Sequence, residues 1–67
     1  MYNNDLGNRD YRKGVLTGIY NKKNMSNPDW SGLANNGYAV MGYEYGFHNV
    51  EKARKELDDY NEWQQWQ

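Results

Sequence analysis

Sixty-seven residues with a net charge of −1, 37% hydrophobic side chains and no cysteine describe one small domain. They exclude a disulfide framework, a thiolate metal site, an apolar run of the about 18 residues that cross a membrane, and nucleic-acid binding by bulk positive charge. At this length roughly 60% of the unfolded surface is buried on folding, so stability is marginal unless something adds to it. The N-terminus MYNNDLGNRD lacks the apolar core of a secretory signal, and the expected setting is the cytoplasm.

The charge is unevenly placed. Residues 1–26 hold five basic and two acidic side chains, net +3, and residues 27–67 hold three basic and seven acidic, net −4. Aromatics are abundant, with seven Tyr, three Trp and one Phe, more than a core of this size can enclose. Tyr and Trp left outside are the residue types enriched in binding hot spots, which favours a binder over an enzyme.

After a polar start, Asn8 or Asp5 is placed to cap a first helix over about 9–23. Its apolar stripe is Tyr11, Val15, Gly18 and Ile19, with Gly14 one turn before Gly18, a flat patch where another helix can come close. Leu16 and Tyr20 fall on the opposite side, and Lys22 and Lys23 suit the helix C-terminus.

A central helix is expected over about 28–47, started by Pro28 between Asn27 and Asp29. Trp30, Leu33, Ala34, Gly37, Met41 and Tyr45 share one face of it, flanked by Tyr38 and Val40. Gly37 in that stripe costs about 1 kcal/mol of helix propensity relative to Ala, which points to close helix contact there. A second seam runs through Gly32, Ala39, Gly42 and Gly46 beside Tyr43, and suits self-association as a homodimer. Asn36-Gly37 is also a β-hairpin signature, but the flanking residues do not alternate. Asn49 then caps a third helix over about 50–66, buried through Val50, Ala53, Leu57 and Tyr60 and carrying four i,i+4 ion pairs from Glu51–Lys55 to Lys55–Asp59. The architecture is an all-α, three-helix miniature domain.

No residue set points to catalysis, a cofactor or a metal. His48 is the one histidine, neither Ser26 nor Ser31 lies in an elbow motif, and Asp58 and Asp59 diverge by about 100° around a helix. The glycines match neither a P-loop nor a dinucleotide fingerprint.

The run Gly14-Val15-Leu16-Thr17-Gly18, followed ten residues later by Pro28 and then by Gly42-Tyr43, resembles the ribosome modulation factor family. That family has a G-x-x-x-G helix, a loop with proline followed by an aromatic, and a second helix carrying W-x-x-G-W. Here Asp29 separates Pro28 from Trp30, Tyr38 and Tyr43 stand for the tryptophans with one extra residue between them, and the second half of the chain is acidic. Over Tyr11 to Gly46 the resemblance implies a helical hairpin. With the basic side chains Arg9, Arg12, Lys13, Lys22 and Lys23 it implies a ribosome- or RNA-binding regulator.

The leading expectation is a non-enzymatic protein-binding module in the style of small phage inhibitors, including anti-CRISPR and other anti-defence proteins. Its surface is Asp58, Asp59, Glu62, Trp63 and Trp66, offered to a basic host protein. A small-ligand sponge formed between two copies is a further alternative.

Overall fold

The structure, a computed structural model, describes residues 4–24, 27–29, 31–33 and 35–65. Three helices carry it: α1 (Arg9–Asn24), α2 (Gly37–His48) and α3 (Val50–Gln65). Single 3-10 turns stand at Asn4–Gly7 and Ser31–Leu33, and there is no strand among the described residues. The all-α three-helix miniature domain is the observed architecture.

The caps explain the helix starts. Asn8 Oδ1 accepts from the backbone N–H of Asp10 (2.9 Å) and of Tyr11 (3.1 Å), so Asn8 rather than Asp5 opens α1. Asn36 does the same for α2, accepting from the N–H groups of Tyr38 (3.1 Å) and Ala39 (3.2 Å). The second helix therefore begins at Gly37, nine residues later than Pro28 suggests. Asp29 instead turns its carboxylate onto the next residues, accepting from the Ser31 hydroxyl (2.8 Å) and N–H (3.2 Å). Those two bonds hold its carboxyl below the usual range.

The late start misplaces the expected buried stripe. Gly37 is exposed and a Cβ there would meet nothing within 4 Å. Met41 and Tyr38 are exposed, while Leu33 and Tyr45 are only half-buried. Trp30 and Ala34 lie outside the described residues. The buried face of α2 is Ala39, Gly42, Tyr43, Gly46 and Phe47. Gly37→Ala is accordingly expected to leave the melting temperature unchanged or to raise it, by up to about 1 kcal/mol of helix propensity. A lowered transition in thermal denaturation contradicts this placement.

Four of the five glycines of α1 and α2 interlock, all but Gly37. A Cβ on Gly14 would stand 2.0 Å from the Ala39 carbonyl oxygen, and one on Gly18 2.2 Å from that of Tyr43. In the reverse direction, a Cβ on Gly42 would stand 2.2 Å from the Tyr11 oxygen, and one on Gly46 2.3 Å from that of Val15. Every obstructing atom is backbone, so the two helices touch main chain to main chain. These contacts advance in the same direction along both helices, which makes α1 and α2 parallel. The ends agree: Lys22 Nζ sits 5.0 Å from the Phe47 ring centroid, pairing the two C-terminal turns. A hairpin, as the family resemblance implies, joins antiparallel helices through a loop of about 2–5 residues. Here α1 ends at Asn24 and α2 starts at Gly37 near the other end of α1, so the chain between them has the length of α1 to span. Twelve extended residues reach about 40 Å, against about 24 Å for a 16-residue helix.

The other side of α1 builds the apolar core. Tyr11, Val15 and Ile19 pack with Leu6 and with Ala53, Leu57 and Tyr60 of α3, and Val50 and Tyr45 close the edge. This is the stripe expected for the third helix. α3 runs back along α1, from Val50 beside the C-terminus of α2 to Tyr60, which meets Arg12 near the start of α1. α1 and α2 form the most extensive helix pair, and each also touches α3, so the second helix is packed by both of the others as expected.

Candidate functional site

Three polar junctions fix the surfaces that remain. The ring of Tyr43 is 0% exposed, and its hydroxyl accepts from Asn21 Nδ2 (2.7 Å) and from the Asp29 N–H (3.0 Å). One phenol thereby fastens the return connection to the glycine crossing. Arg12 Nη1 donates to the Leu6 carbonyl (2.6 Å) and to the Tyr60 hydroxyl (3.0 Å), with its guanidinium carbon 4.9 Å from the Tyr60 ring centroid. The Tyr45 hydroxyl donates to Glu56 and ties α2 to α3. Burial, assisted by that carboxylate, pushes the Tyr45 phenol up to about 12.

The expected self-association seam is used up within one chain. Ala39, Gly42, Tyr43 and Gly46 are all buried, the glycines against α1, and no second copy can occupy the place α1 fills. Of that set, only Gly32 is exposed.

The basic residues divide. Arg12 is half-buried and committed to Leu6 and Tyr60, and Lys22 lies over Phe47, so neither stands free for a phosphate. Arg9, Lys13 and Lys23 are exposed. They share one face of α1 with Leu16 and Tyr20, which are 57% and 67% exposed. The sequence reading placed Leu16 and Tyr20 opposite the packed stripe but did not join them to the lysines.

The acidic set lies on the last turns of α3. Asp58 and Glu62 are exposed, Asp59 is half-buried, and Trp63 is 45% exposed with its ring 6.0 Å from that of Tyr60. Trp66 lies outside the described residues. The buried stripe of α3 is complete without Trp63. The structure therefore leaves an indole at the surface among carboxylates. A second exposed apolar pair, Tyr38 and Met41, stands on α2.

Elsewhere the chemistry is sparse. His48 is exposed in the last turn of α2, edge-on to Phe47. No three metal-ligating side chains converge among the described residues, and no helix among them is long and apolar enough to cross a membrane. No family model matches this chain, and no curated protein or solved structure matches it.

Proposed function

We propose that this chain is a non-enzymatic protein-binding module that docks the acidic, Trp63-bearing end of α3 on a basic surface of a larger macromolecular machine. The observation that carries this reading is Trp63, 45% exposed beyond a core that Ala53, Leu57 and Tyr60 already fill, on the same last turns of α3 as the exposed Asp58 and Glu62. An indole anchor entering a partner pocket is worth about 2 kcal/mol or more, while the surrounding carboxylates chiefly speed association. A phage-type, anti-defence inhibitor working inside the cell is the form of this function that brevity, aromatic excess and an acidic last helix favour.

The test uses the whole chain as bait in a cell lysate, beside Trp63→Ala and Asp58→Lys/Glu62→Lys. Because these positions are exposed, each variant should keep the parent circular dichroism spectrum. The expected result is a basic protein retained by the parent and lost from both variants, with the loss on Trp63→Ala corresponding to about 2 kcal/mol. Equal retention by all three removes this surface.

A ribosome- or RNA-binding role is the second reading, favoured by the exposure of Arg9, Lys13, Tyr20 and Lys23 on one face. About three phosphate contacts to single-stranded RNA predict a log–log salt slope near about −2, which the protein-docking reading does not.

A further inference from the structure

The outer face of α1 is a continuous surface. Arg9, Lys13, Leu16, Tyr20 and Lys23 fall within roughly 80° of one another around the helix at 3.6 residues per turn. Asp10, the only acid of α1, lies about 100° from Arg9. The glycine crossing and the core occupy the other sides of α1, and the five side chains of this one are exposed among the described residues, bordered at Lys13 by Gly32, Leu33 and Asn36.

The charges also separate along the molecule. After Lys55 the chain carries Glu56, Asp58, Asp59 and Glu62 and no base. Because α3 runs back along α1, these acids lie at the end where α1 begins, and Tyr60 meets Arg12 there. Lys22 and Lys23 lie at the opposite end, with the C-terminus of α2 and the start of α3. Each end carries apolar side chains at its surface: Trp63 among the acids, and Leu16 and Tyr20 leading to Lys23.

We infer that a second copy of this chain occupies the face, in a twofold antiparallel dimer in which Leu16, Tyr20 and Lys23 of one protomer meet the Asp58–Glu62 face of α3 of the other. Charge complementarity selects the arrangement. Laying α1 antiparallel on α1 of the partner sets Arg9 against Lys23 and is repulsive. Laying it on the acidic end of α3 pairs opposite charges, and the twofold makes each contact twice. The interface is small and belongs to the weak class. It shares the acidic end of α3 with the function proposed above, so dimer and partner compete for Asp58 and Glu62. Its test needs only the chain itself, and either reading can fail without the other.

Sedimentation equilibrium from tens to hundreds of micromolar should show mass rising from 8.0 kDa toward twice that value. The association should weaken as ionic strength rises and the screening length falls from about 10 Å at 0.1 M to about 3 Å at 1 M. Lys23→Glu and Glu62→Lys should each weaken the dimer by about tenfold or more, since each sets like charges together twice. Mixing the two variants should restore it, because the mixed dimer has an opposite-charge pair at both contacts. Leu16→Ser should weaken it without salt dependence, and unchanged circular dichroism reports that each variant is folded. A monomer throughout the range, or a dimer indifferent to both reversals and their mixture, overturns the inference. So does a monomer whose Lys23 is needed to shift a labelled oligouridylate, which makes the face a polyanion site.

Discussion

Gly42→Val should abolish cooperative folding. The added Cβ would enter 2.2 Å from the Tyr11 carbonyl oxygen and 3.0 Å from the Val15 nitrogen, and both atoms belong to the main chain of α1. A side chain in that position can swing aside, but a helix backbone moves only as a body. Moving α1 away also opens the contacts at Gly14, Gly18 and Gly46. Overpacking a core costs about 1–3 kcal/mol where side chains can adjust, and more is expected where they cannot. A core of this size supplies only about 3–5 kcal/mol, so one valine is enough to remove most of it. Gly14→Ala and Gly18→Ala should act in the same direction, because a single methyl already collides. Gly32→Ala, with nothing within 4 Å of the new Cβ, is the matched control. Urea denaturation of Gly42→Val giving the parent midpoint and slope would show that the helices do not cross at these glycines.

Tyr43→Phe should lower stability by about 1–2 kcal/mol, the net worth of two part-buried hydrogen bonds. The hydroxyl it removes accepts from both the Asn21 amide and the Asp29 N–H, and the ring around it is wholly enclosed. The aromatic volume is kept, so lost packing does not confuse the result. The loss should also loosen the return connection, since Asp29 is held to the crossing by this bond. Native-state hydrogen exchange checks this: the Asp29 amide should exchange faster in the variant, whereas an unchanged rate and an unchanged melting temperature would place its hydrogen bond elsewhere.

Periodicity made α1 and α3 legible because both have a single apolar stripe of ordinary side chains. Tyr11, Val15, Ile19, Ala53, Leu57 and Tyr60 stand in the core where the spacing put them. Gly14 and Gly18 were legible as a place for close approach. α2 misled for a physical reason. Its contact face is made where side chains are smallest, so ranking positions by apolar bulk selected Met41 and Tyr38, which face outward, and assigned the glycines to a spare surface. Pro28 suited a helix start, but Asn36 capped one, and the choice between them decided whether the connection was short or long. The short one implies antiparallel packing; twelve residues from 25 to 36 are long enough to permit the parallel course that the glycine contacts show. The acidic end of α3 was legible as surface from its charge. Arg12 was not legible as structural, because its partners, the Leu6 carbonyl and Tyr60, are brought to it only by the fold.

The parallel course of α1 and α2 also sets how the chain must find its fold. In a hairpin, the first contacts beside the turn are close in sequence, and later ones zip outward from them. Between α1 and α2 no such starting point exists. Residues that meet at the crossing, from Gly14 with Ala39 to Gly46 with Val15, are 25 to 31 positions apart. The first contact between α1 and α2 therefore closes a long loop, at an entropic cost that grows with the logarithm of loop length. Helices of 16 and 12 residues form and melt within about a microsecond, so they come and go many times during that search. The step that commits the chain is the arrival of one glycine ridge in the other's groove, and α3 has a completed α1–α2 pair to dock on only after it.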